Sequence, residues 1–246
     1  MPYVTLAQVL GTTMLAACIP VIGAQVPVAP MHKVEVTARL VPAHQIHLAG
    51  AHKIERMPPA LIWLKPIQSG AVSVLEPGNF TLLQKNKMFT PHLLVVPVGS
   101  SVAFPNADPF FHNVFSLFDG KRFDLGLYEA GSSKSVTFSR EGISYIFCNI
   151  HPEMSAVVIS LSTPLYAVAT PDDSFTLHNV PPGKYKLHIW IEGVTQTELD
   201  KLIRSIEVSS GTTDLGQIAA PIPARGNMTH TNEFGKPYTP ESKSPY

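Results

Sequence analysis

The 23 prolines scattered along this 246-residue chain constrain its fold more than any other feature. Each lacks a backbone N–H and would cost about 3 kcal/mol inside a helix, which leaves little room for long helices. What lies between the prolines is short and apolar or alternating. Across residues 34–40, Val34, Val36, Ala38 and Leu40 fall on one face and Glu35, Thr37 and Arg39 on the other, the period of a half-buried strand. Similar short runs follow at 60–64, 93–98, 101–104, 135–138, 143–147 and 156–161, punctuated by Gly, Pro, Asn and Asp, as in an antiparallel sandwich. An all-β fold is expected.

Composition narrows the function. Charged residues make up only 15% of the chain, against about 25% in a typical soluble protein, and a hydrophobic share of 45% is enough for a sizeable core. Lys plus Arg and Asp plus Glu both total 18, so no net field draws the protein to a polyanion, and a nucleic-acid partner is disfavoured.

Residues 1–24 carry no charge and have an apolar centre broken by Thr12, Thr13 and Pro20. They read as a secretory signal peptide rather than a membrane span, which needs about 20 predominantly apolar residues. No Lys or Arg precedes the run, so either the signal is atypical or the true start lies upstream. Two processing sites compete. Ile22-Gly23-Ala24 offers simple cleavage, the favoured reading, whereas Leu15-Ala16-Ala17-Cys18 resembles a bacterial lipobox and would make Cys18 a lipid anchor. Either way the mature domain keeps one cysteine, Cys148, with no intrachain disulfide partner in an oxidising compartment.

A second β unit follows Pro164. Residues 175–178 and 185–191 alternate around Asn179-Val180-Pro181-Pro182-Gly183, and the stretch 173–187 resembles the signature hairpin of carboxypeptidase-regulatory-like sandwiches. Residues 197–206 have Leu199, Leu202, Ile203 and Ile206 at helical spacing, while 203–208 also reads as a strand. From Pro221 onward few large aliphatics remain, and a disordered tail is expected. The resulting organisation is a signal peptide (1–24), N-terminal strands belonging to the accessory unit (25–70), a central β-sandwich unit (71–163), the regulatory-like β unit (164–220) and the tail (221–246).

The chemistry is concentrated in Cys148-Asn149-Ile150-His151-Pro152-Glu153-Met154. This one loop, after an apolar run, presents a thiolate, an imidazole and a thioether at spacings of three and three. Soft sulfur with imidazole selects copper, and two histidines, a cysteine and a weak axial methionine make an electron-transfer blue-copper site. Zinc is the rival, but methionine is not among its usual ligands. The second histidine should come from another strand. His112, beyond the apolar run 93–104, supplies it.

These residues, with Val98-Gly99-Ser100-Ser101-Val102-Ala103-Phe104, the Asn113-Val114 pair and Gly142-Ile143-Ser144-Tyr145-Ile146-Phe147, resemble the cupredoxins over residues 79–163. The short Cys-x-x-His-x-x-Met loop with Pro152 most resembles amicyanin. The whole chain is also similar to bacterial methylamine-utilisation proteins, in which a regulatory-type β unit accompanies a cupredoxin. The resemblance implies a Greek-key cupredoxin-like β-sandwich with an additional small β-sandwich, and one type 1 copper on His112, Cys148, His151 and Met154. It implies that Asn113 ties the ligand segments together, its backbone N–H facing the sulfur. It also implies that His151 has an edge near solvent inside an apolar collar, through which an electron would leave; Pro109, Phe110, Phe111, Ile150 and Pro152 flank the two ligands, either as a docking patch or as core packing. Glu153 stands where amicyanin has an apolar residue.

The function expected is a periplasmic one-electron carrier, not an enzyme, with a cytochrome or dehydrogenase as redox partner. The alternatives are a copper chaperone or scavenger and a docking module without redox turnover. A copper oxidase or nitrite reductase would need a denser set of histidines than this chain has. His32, His44, His47 and His52 could make a second site, but His44 and His47 would point to opposite faces of a strand. Solvated or hydrogen-bonded histidines are the default there, and for His92, His178, His188 and His230.

Overall fold

Two strands open the described chain, β1 (Val34–Pro42) and β2 (Ala60–Pro66). Ten follow: β3 (Asn79–Thr81), β4 (Leu83–Lys85), β5 (Met88–Thr90), β6 (Leu93–Pro97), β7 (Ser101–Pro105), β8 (His112–Ser116), β9 (Phe123–Tyr128), β10 (Ser133–Thr137), β11 (Gly142–Phe147) and β12 (Ser155–Leu161). The chain continues through β13 (Tyr166–Val168), β14 (Ser174–Val180), β15 (Gly183–Ile191), the single short helix α1 (Gln196–Asp200), β16 (Arg204–Val208) and β17 (Thr213–Ala220). This computed structural model describes residues 34–43, 57–68, 72, 75–117, 120–223, 232, 234, 236 and 237, all within one unit, Met31–Tyr246. The signal segment, Cys18, most of the C-terminal tail, and His32, His44, His47, His52 and His230 lie outside the described residues. Among the described residues no helix is long and apolar enough to cross a membrane.

The fold is all-β. The middle ten strands form a cupredoxin-like sandwich of two sheets, β6-β12-β11-β8-β9 and β10-β7-β3, with a separate β4-β5 hairpin. Its core contains Val96, Val102, Phe104, Val114, Val136, Ile146, Ala156 and Val158. Gly99, in the turn from β6 to β7, has φ +90°, a backbone state that a side chain would strain.

The outer strands form two further sheets, β13-β2-β15-β16 and β14-β1-β17. β1 pairs antiparallel with β14 and parallel with β17. Because β2 pairs directly with β13, the middle ten strands interrupt this second sandwich in sequence. The alternation of residues 34–40 is realised: Val34, Val36, Ala38 and Leu40 are all buried.

β12 is apolar almost throughout because both its faces are covered, the pattern usual for strands enclosed on two sides. Ala156 and Val158 face the cupredoxin-like core, whereas Val157, Ile159 and Leu161 join a second core with Ile62, Leu64, Leu187 and Trp190. Polar contacts stitch the same junction. Trp190 Nε1–H donates to Tyr145 Oη (3.2 Å), Lys65 pairs with Glu141, and His92 Nε2 meets Glu192 Oε1 at 2.8 Å.

The ambiguous stretch after residue 196 divides. α1 starts at the Thr195 cap, whose hydroxyl accepts from the Glu198 N–H (3.4 Å). It ends at Asp200, short of the helical spacing that runs over 197–206, because 204–208 pair with β15 as β16, the strand that 203–208 also offered. Sheet hydrogen bonds there outweigh the helical spacing of the apolar residues.

Candidate metal centre

β8 and β11 are antiparallel neighbours, with Phe147 opposite Phe115, so the start of one and the end of the other lie at the same end of the sheet. His112 opens β8 and Cys148 follows β11. The loop from β11 to β12 is held tight by hydrogen bonds from Cys148 N–H to the Met154 carbonyl (3.3 Å) and from Met154 N–H to the His151 carbonyl (2.9 Å). His112 and Cys148 are fully buried, and His151 and Met154 are 2% and 1% exposed.

Three donor atoms converge. Cys148 Sγ lies 3.7 Å from His112 Nδ1 and 3.8 Å from His151 Nδ1, and the two nitrogens are 3.2 Å apart. A point equidistant from all three is about 2.1 Å from each, in the range of transition-metal bonds to imidazole nitrogen and thiolate sulfur. The cluster can therefore hold a metal ion. Met154 is buried in the same loop and packs in the same core as Cys148, adding a thioether to a donor set that suits copper.

Surrounding residues orient these donors. His112 Nε2–H donates to Asp108 Oδ2 (2.9 Å), which leaves Nδ1 bare and aimed at Cys148, as outer carboxylates do for metal-bound histidines. Asp108 also accepts the N–H groups of Asn86 (2.6 Å) and Lys87 (3.0 Å) at the tip of the β4-β5 hairpin. Burial works to raise its pKa, but the Lys87 N–H, His112 and the Asn86 N–H together hold it below the ordinary value. Asn113 Oδ1 accepts the Asn149 N–H (3.3 Å) and its Nδ2 donates to Asp124 Oδ1 (2.8 Å), while its backbone N–H is directed at the Cys148 sulfur.

Burial pushes the Cys148 thiol up, against the opposing pull of the Asn113, His151 and Ile150 N–H groups. Burial, reinforced by His112 and Lys87, pushes His151 down. Without a metal, the centre therefore favours a neutral thiol and a neutral His151.

The residues that flank the two ligands take different places. Pro109, Phe111 and Glu153 are exposed, while Ile150 and Pro152 are half-buried. Phe110 packs on both imidazoles, 5.2 Å from His112 and 5.4 Å from His151 between ring centroids. The expected solvent edge on His151 is absent: its Nε2 is buried without a hydrogen-bond partner, a state that costs about 1–3 kcal/mol. His92 and His178 pair with Glu192 and Glu35, and His188 stacks on Trp63 at 5.2 Å.

Asp108 escaped the sequence reading. Its only local signal was a carboxylate four residues before His112, and its other partners come from a hairpin distant in sequence.

No protein-family model matches this chain, and no curated protein matches it. Among solved structures it is similar to the Cu-containing nitrite reductase (NirK) from Thermus scotoductus SA-01, with 27% identity and a TM-score of 0.33 over 39% of this chain and 25% of that one. This chain thus spans about a quarter of the reductase's length. It is also similar to a purple cupredoxin from Nitrosopumilus maritimus, with 24% identity and a TM-score of 0.30 over 33% of this chain and 98% of that one. Amicyanin from Paracoccus versutus is 21% identical, with a TM-score of 0.31 over 33% of this chain and 80% of that one.

Proposed function

We propose that this chain is a type 1 copper protein working as a one-electron carrier of the bacterial periplasm, with no enzymatic turnover of its own. The convergence of one sulfur and two nitrogens, 3.2–3.8 Å apart and shut away from water, carries this reading. Copper bound there supplies a Cu(II)/Cu(I) couple. Cys148 would hold it through its thiolate, His112 and His151 through Nδ1, and Met154 through its thioether. Asp108 fixes the His112 ring, Asn113 directs its N–H at the sulfur, and Val114, Ile146 and Val158 exclude water. Four ligands between 0% and 2% exposed suit retention of the metal rather than its release to a client, which favours a carrier over a chaperone.

A cytochrome or dehydrogenase is the proposed redox partner. The uncharged apolar stretch 1–24 supports export, with Cys18 as a lipid anchor under the competing processing. The copper unit is assigned to residues 71–163 and the accessory unit to strands on either side of it.

The test is to load residues 25–246 with Cu(II) and record the visible spectrum. An intense thiolate-to-copper band near the red end is expected, and Cys148→Ser should abolish it while leaving the far-UV circular dichroism unchanged. A colourless native protein sinks the proposal. Rapid electron exchange with a periplasmic cytochrome in stopped flow separates a carrier from a scavenger.

A further inference from the structure

The buried Nε2 of His151 raises the question of what lies over it. Phe110 packs against both ligand imidazoles, which themselves meet edge to face at 4.9 Å between centroids. The ring is held from several sides. Its own carbonyl accepts from Asn106 Nδ2 (2.8 Å), and the Lys87 ammonium stands 5.4 Å over its centroid. Asp108, two residues before it, binds the Asn86 and Lys87 N–H groups and His112 together. The hairpin tip, the 106–110 segment and His112 thus form one hydrogen-bonded frame with Phe110 set in it.

We propose that Phe110 is a shield that closes the metal centre to water and to exogenous small ligands. The inference rests on the copper reading above and deepens it. A phenyl ring offers an approaching anion or substrate no hydrogen bond, and this one packs against both imidazoles. An inner-sphere enzyme needs an open coordination position. Here the ring that would have to move is set against Lys87 and His112, both of which the Asp108 carboxylate holds.

The first test needs no metal. Diethyl pyrocarbonate acylates accessible neutral imidazoles, and peptide mass spectrometry reads the extent at each histidine. In the metal-free full chain, His151 should react at least about tenfold more slowly than in Phe110→Ala, because a covered group reacts only through local opening. His178, whose side chain is 64% exposed, should react equally in both. Equal His151 rates in the two proteins would overturn the shield. If the alanine variant lacks the native circular dichroism, Phe110→Leu takes its place, with a smaller acceleration expected.

The second test titrates azide into the Cu(II)-loaded proteins. The native visible and electron paramagnetic resonance spectra should stay unchanged, while those of Phe110→Ala should shift and saturate. A native spectrum that shifts as readily as the variant's also overturns the shield. A colourless native protein overturns the copper reading instead, and the acylation comparison still decides whether Phe110 covers His151.

Discussion

The β11-β12 pair has two faces that hold the protein together in opposite ways. Toward the metal centre, apolar side chains share space with buried Gln84, Asn106, Asp108, His112 and Asn113. Toward the second sandwich, Val157, Ile159 and Leu161 meet Ile62, Leu64 and Trp190, and charged pairs such as Lys65–Glu141 and His92–Glu192 stay at the partly exposed rim. Buried polar groups are costly unless each is satisfied, and satisfied ones impose a single geometry. Apolar contacts are less directional and supply stability. One face therefore positions ligands, and the other keeps the sheet from exposing its back.

Three substitutions can break that division. The largest expected effect is on the apolar face. Trp190 is fully buried and donates to Tyr145, so Trp190→Ala should cost about 3–5 kcal/mol of unfolding free energy in urea titrations of the metal-free chain. Its copper band should keep its position in the folded fraction. A loss below about 1 kcal/mol would mean that the back of the sheet is not sealed as described.

Asp108→Ala comes next and reverses the pattern. It leaves the Asn86 and Lys87 N–H groups and His112 Nε2 without their acceptor, for a stability loss of about 1.5–3 kcal/mol. Copper affinity should fall about 10–100-fold, as measured by competition with a chelator. Unchanged affinity would show that Asp108 is a hairpin staple and nothing more.

The smallest effect is a pH dependence at the rim. The hydrogen bond to Glu192, opposed by burial, raises the pKa of His92 above its ordinary 6.5. Its contribution is therefore fully present below the ordinary value and is lost as pH rises through the raised folded one. The stability gap between the native chain and His92→Gln should shrink over that interval, by less than about 1 kcal/mol for so exposed a pair. A gap that widens with pH would reverse the assignment.

The convergence of His112, Cys148 and His151 was legible because two of these donors sit within four consecutive residues, where spacing and donor softness suffice. β1 was legible because alternation is a local property. Asp108 and the cover over His151 were not, since both depend on the β4-β5 hairpin reaching across to the 106–110 segment, a contact with no local signature. Phe110 itself was noticed, but its neighbours in sequence cannot say whether it faces solvent or lies against two imidazoles. The interrupted second sandwich was hidden for the same reason. The parallel pairing of β1 with β17 joins opposite ends of the described chain, and only the alternating pattern of residues 34–40 hinted that β1 wanted a partner.

That interruption sets an order of events as the chain emerges N-terminus first. β1 and β2 appear early yet have none of their sheet partners until residues beyond 165 arrive, so they must wait while the strands of the cupredoxin-like sandwich are made. Long-range pairings form slowly because loop closure precedes their reward. The cupredoxin-like half can thus collapse first, and the last described strand to be synthesised, β17, completes the β14-β1-β17 sheet. A chain cut before Thr213 would leave β1 with a bare edge, an open template for pairing with other molecules.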